Sequence, residues 1–199
     1  MLVVGALFAG ACGTTKSDAR AETPVHPGVI PRTPSTQPPP RTTPSTSVPA
    51  YSFDGSVPPP KLVNTGTDYV AILKSLDTYG NWLAAHRPDP TLVGDVIAGG
   101  TRLHNSYVET LTALRDRSER YIEVRDGDDR YVIVSATGDA VSAKVIQHIT
   151  LHRIVDALGR TVKEERFVGE TAYRVLAVKT GRRWYVASTV VTQAPNEVP

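Results

Sequence analysis

The 199-residue chain has a single cysteine, Cys12, so no disulfide can form within it and the folded part depends on its core. After the first dozen residues, no apolar stretch approaches the roughly 20 residues that a membrane-spanning helix needs. Charge of one sign is never concentrated. Lysine and arginine together number 22 against 20 acidic residues, a formal net charge of +2, and no run of five or six like charges occurs. This argues against a nucleic-acid-binding surface, whose phosphate contacts need a concentrated basic face. There is no glycine-rich phosphate loop, no nucleophile elbow and no cysteine–histidine pair, so no motif points to catalysis. No internal repeat is present, and the length fits one ordinary domain plus a tail.

What is present begins at the N-terminus. The apolar run from Leu2 to Ala11 stops at Cys12. It is too short to span a bilayer but matches the 7–15-residue apolar region of a secretory signal, which ends in small residues. The sequence Ala9-Gly10-Ala11-Cys12 resembles the lipobox of bacterial lipoproteins. The resemblance implies that residues 1–11 are a signal cut off before Cys12, whose thiol is diacylated and whose new amino group is acylated. Three acyl chains exceed what stable anchoring requires. The expected location is therefore extracytoplasmic, on the outer face of the bacterial cell membrane.

Residues 12–61 change character. Proline, threonine and serine dominate, and 12 of the 16 prolines lie between Pro24 and Pro60. Such a segment buries too little apolar surface to offset its ordering entropy and is expected to be a disordered tether with extended stretches. It would span about 40 Å as a flexible coil and up to roughly 150 Å fully extended. The composition fits a plain spacer, an O-glycosylated spacer or proline runs that bind a partner. Tyr51 and Phe53, near its end, are candidates to dock on the domain that follows.

The period becomes helical near Thr65-Gly66-Thr67-Asp68, an N-cap cluster. Tyr69, Ile72, Leu73, Leu76, Tyr79 and Leu83 form one apolar stripe, and Pro88 ends the helix near His86. Asp89-Pro90 opens a short second helix through Ile97, and Thr101 caps a third with Leu103, Tyr107, Leu111 and Leu114 on its face. Alternation then takes over. Strands are expected at 121–125, 131–136, 140–154, 165–179 and 183–191, joined by turns such as Asp126-Gly127 and Thr180-Gly181. Val145, Ile149 and Leu151 are expected on one face of the third strand. His148 and His152 would share the other, about 13 Å apart and too far for one metal ion; an outward face is the default expectation, with a pocket lining or a sheet-mediated dimer interface as the alternatives.

The order of a long helix, a short one, a third ending in Arg115-Asp116-Arg117 and then a meander resembles the nuclear transport factor 2-like superfamily. The resemblance implies an α+β cone over residues 62–193, with three N-terminal helices packed on one curved antiparallel sheet of about five strands. Residues 194–199 would be a flexible tail. It also implies a pocket within the cone, where an isomerase-like site would set a carboxylate beside a tyrosine. The polar residues expected nearest that pocket are Tyr69, Asp95, His104 and Tyr107. Each also has a plainer reading: the tyrosines as core, Asp95 and His104 as solvated surface. No metal or cofactor is expected. The resulting expectation is a lipid-anchored envelope protein, joined to the membrane through Cys12, that presents a non-catalytic interaction or scaffold domain to other envelope proteins. The alternatives are binding of a small apolar ligand in the cone and, third, an isomerase- or dehydratase-like enzyme.

Overall fold

The computed structural model describes residues 57–198. The expected signal, Cys12 and the linker up to residue 56 lie outside the described residues. Within them, no helix is long and apolar enough to cross a membrane.

Helix α1 spans Tyr69–His86, and its N-terminus is closed by the Asp68 carboxylate, which accepts from the Ala71 amide at 3.1 Å. It stops where Pro88 disfavours helical geometry at the preceding residue. Asp89 then accepts from the Thr91 amide at 3.0 Å and caps a 3-10 helix, Pro90–Asp95. Helix α2, Arg102–Asp116, starts under the Thr101 hydroxyl, which accepts from the His104 amide at 3.1 Å. The segment after the 3-10 helix is stitched to a strand by bonds from Ala98 N to Val186 O and from Val186 N to Val96 O, both 2.9 Å.

Eight strands follow: β1 Arg120–Arg125, β2 Arg130–Ala136, β3 Ala140–Gln147, β4 Ile149–Val155, β5 Thr161–Val168, β6 Thr171–Thr180, β7 Arg183–Gln193 and β8 Asn196–Val198. They form two four-stranded antiparallel sheets, ordered β1-β4-β5-β8 and β2-β3-β6-β7. This overturns the expected architecture of three helices on a single sheet of about five strands. Among the described residues, two of the three helices are α-helices, and sheet predominates. Two of the expected strands are each two strands. The 140–154 stretch breaks at His148, so that β3 joins β2 and β6 while β4 joins β1 and β5. The 165–179 stretch breaks at Gly169-Glu170, where Gly169 takes φ +101°, a conformation that favours glycine. At both corners the chain switches sheets. Residues 196–198 of the expected tail form β8 against β5.

The apolar core lies between the helices and the β2-β3-β6-β7 sheet. Ile72, Leu73, Leu76 and Leu83 of α1 and Tyr107 and Leu111 of α2 meet Val141, Ala143, Val145, Val175 and Trp184. Each large apolar side chain buried this way contributes about 1.5–3 kcal/mol. The other sheet is different. In β1, Val124 is 41% exposed, while the Glu123 and Arg125 side chains are 3% and 17% exposed. The inner face of β1 thus carries charged side chains, whereas β4 in the same sheet buries Ile149 and Val155.

Candidate functional site

The four residues expected at a pocket lie on α1, the 3-10 helix and α2. Tyr69 is half-buried and sets its ring edge against Trp184, with centroids 5.5 Å apart. Asp95 ends the 3-10 helix, half-buried. His104 lies in the first turn of α2, half-buried. Tyr107 is 1% exposed, and its hydroxyl donates to the Gly80 carbonyl at 2.7 Å, fastening α2 to α1. Burial raises the Tyr107 hydroxyl pKa, and nearby Glu123 adds to the effect.

Between α1 and the β2-β3-β6-β7 sheet lies a small cavity walled by Leu73, Leu76, Val145 and Val175, with Asp77, Tyr131 and Thr189 as its polar members. It leaves about 10 Å³ for the centre of a water molecule, room for one. The Tyr131 hydroxyl donates to Asp77 Oδ2 at 3.3 Å. A carboxylate facing a phenol is the pairing that enolate chemistry uses.

Here, however, the carboxylate belongs to a larger network. Arg125 donates from Nη1 to Asp77 Oδ2 at 2.7 Å, from Nε to Glu123 Oε1 at 2.6 Å, and from Nη1 to Asp129. Gln147, 1% exposed, donates from Nε2 to Asp129 Oδ2 at 3.1 Å and to Asp77 Oδ2 at 3.4 Å. One guanidinium thus serves three carboxylates. Burial opposes the charge on Arg125, but Glu123 and Asp129 outweigh it and raise its pKa. Burial also pushes the Glu123 carboxyl up, but the adjacent His152 imidazole and the Arg125 charge hold it below the usual carboxylate range. The Tyr131 hydroxyl is raised by burial and then by Asp129. A carboxylate held below the usual range beside a buried cation, as Glu123 is, is a poor proton acceptor, because protonation would strand that cation.

The network continues through His152. Its Nε2 lies 3.3 Å from Glu123 Oε2 and its Nδ1 lies 4.0 Å from Glu165 Oε2, with the side chain 8% exposed. Its ring sits between Tyr121 and Phe167, at centroid distances of 5.3 and 4.6 Å. The break at His148 corrects the expected facing of this stretch. His148 is exposed at the corner, His152 points inward, and Leu151 takes the opposite side. No group of three or more histidine, cysteine or acidic side chains among the described residues could hold a metal ion.

Asp77, Glu123, Arg125, Asp129, Gln147 and His152 are not among the pocket residues expected from sequence, although signals for some are present. Asp77 lies four residues after Leu73 and three before the buried Gly80, on the inner side of α1. Tyr121, Glu123 and Arg125 alternate on one face of a strand whose apolar Ile122 and Val124 invite the opposite choice of inside.

Comparison with known proteins adds only distant likenesses. No family model matches the sequence, and no curated protein matches it. Among solved structures, the chain is similar to the intermembrane space region of the chloroplast protein ARC6, at 10% identity and a TM-score of 0.49, covering 66% of this chain and 98% of that one. It is similar to Aln2 from a Streptomyces species at 13% identity and a TM-score of 0.43, covering 66% and 93%. It is also similar to a protein of unknown function with a cystatin-like fold from Nostoc punctiforme, at 12% identity and a TM-score of 0.38, covering 65% and 93%. All three TM-scores fall below 0.5, so the functional reading rests on the chain's own residues.

Proposed function

We propose that the chain is a lipid-anchored protein of the bacterial cell envelope, whose folded domain is a non-catalytic interaction module held off the membrane by the linker 12–61. The observation that carries this reading is the filled interior. Beside Asp77 and Tyr131 there is space for about one water, whereas a ligand pocket typically encloses roughly 300–1,000 Å³. The carboxylates that a proton-transfer mechanism would use are already engaged by Arg125. The domain's remaining resource is its surface.

Native mass spectrometry of the full chain, extracted from its own membrane, tests the module. The expected species is the lipidated chain alone or with a protein partner. A stoichiometric small molecule beyond the acyl groups would overturn the reading in favour of ligand binding. The anchor has a separate test. Cys12→Ser is expected to move nearly all of the protein from the membrane to the soluble fraction, since one residue carries every acyl chain. Unchanged fractionation would reject lipidation.

A further inference from the structure

A groove of about 390 Å³ runs between the C-terminal half of α1 and β1. Trp82, Ala85, Ile122, Pro58 and Pro60 supply its apolar walls, and Glu123 its most buried polar edge. The chain enters the described domain here. Val57 lines the groove, and the Trp82 indole Nε1 donates to the Val57 carbonyl at 3.1 Å. A buried indole N–H needs such a partner. Further along, the Val63 amide donates to Ser75 Oγ at 2.7 Å, and that hydroxyl donates to the Lys61 carbonyl at 3.2 Å. The stretch from 57 to 63 is therefore fastened along α1.

We propose that residues 51–56, immediately upstream, occupy this groove, with Tyr51 and Phe53 as the anchoring side chains. Reach allows it: Phe53 lies four positions before Val57, at most about 14 Å of chain. Chemistry selects it, because no other tyrosine, phenylalanine or tryptophan occurs in the linker 12–61. The linker's threonines and serines have little apolar surface, and its prolines and few aliphatic residues are smaller than a ring. An aromatic ring supplies large buried area from few rotatable bonds. Connectivity strengthens the contact, since a segment already tied at Val57 binds intramolecularly and loses no translational freedom. Docking needs no lipid. Its consequence for the membrane rests on the proposed Cys12 anchor: the free tether would end near residue 50, and the α1–β1 face would be the side from which it leaves.

Amide hydrogen exchange on the full-length chain tests the docking. Residues 51–56 contain no proline, so each reports. Their amides are expected to exchange about tenfold or more slowly than those of residues 30–48, the protection that a stable docked segment confers. In the double variant Tyr51→Ser, Phe53→Ser, the 51–56 amides should reach the linker rate and residues 78–86 should lose protection, while β3 and β6 stay unchanged. Trp82→Phe, which removes the bond to Val57, should free the same segment without touching it. Exchange of 51–56 at the linker rate in the unaltered chain would overturn the proposal. So would protection of 78–86 that depends on chain concentration or on a co-purifying protein, because the occupant would then be a second copy or a partner.

Discussion

Arg125→Met is expected to destabilise the folded domain by about 3–5 kcal/mol, a drop of roughly 10–15 °C in Tm. Methionine keeps much of the side-chain volume and removes the guanidinium. Asp77, Glu123 and Asp129 would then remain in an interior where their side chains are 5%, 3% and 13% exposed, with their shared cation gone. The cost is that of stranded charge more than that of lost attraction, because an intact buried ion pair gives back little beyond its own desolvation. Urea unfolding at neutral pH measures it.

The pH dependence adds a second readout. In the native protein the Glu123 carboxyl is held below its ordinary value of 4.5. Its contribution is therefore fully present above that value and is lost as pH falls through the lower folded one. Without Arg125, one of the influences holding the carboxyl down is removed, while burial still pushes it up. The variant should then take up protons on folding, and its deficit relative to the native chain should shrink as pH falls from 7 toward about 4.5 and further below it, where the native chain loses the Glu123 contribution. A deficit under about 1 kcal/mol at pH 7, or one that is equal at pH 4 and 7, would mean that water reaches the carboxylates and that the network is not sealed.

Trp184→Ala is expected to cost about 3–5 kcal/mol for a different reason. Trp184 is 1% exposed and joins three parts of the domain. Its backbone amide donates to the Asn64 carbonyl at 2.7 Å and its indole Nε1 to the Gly66 carbonyl at 3.1 Å. Its ring meets Tyr69 at the start of α1, and the ammonium of Lys179, its partner across the β6–β7 pair, sits 5.9 Å from the ring centroid. Removing the indole leaves a large hole between α1 and β7 and loosens the 62–68 segment, where it holds the Gly66 carbonyl. Trp184→Phe separates the two effects. It keeps a ring in the core and should cost about 1–3 kcal/mol, mainly through the Gly66 carbonyl. Thermal unfolding ranks the variants, and amide exchange of residues 62–68 reports the released segment. Equal losses for Ala and Phe would show that the hydrogen bond, not the packing, carries the effect.

The sequence by itself determined the features set within a few residues of chain. Asp68, Asp89 and Thr101 cap the helices because each side chain reaches an amide two or three positions ahead. Pro88 ends α1 for an equally local reason. Thr180-Gly181 lies between β6 and β7 as a turn dipeptide should.

Tertiary structure decided the division into two sheets and the polar interior. Val141, Ala143, Val145, Gln147 and Ile149 are all buried, so the period of two runs through the corner at His148 without a mark, and pattern alone extends one strand where there are two. The same limit hid the network. Arg125, Tyr131 and Gln147 reach Asp77 across 48, 54 and 70 residues of chain. A carboxylate on a helix reads as solvated until the fold supplies the guanidinium that compensates its burial, and that partner comes from a strand no local rule connects to it.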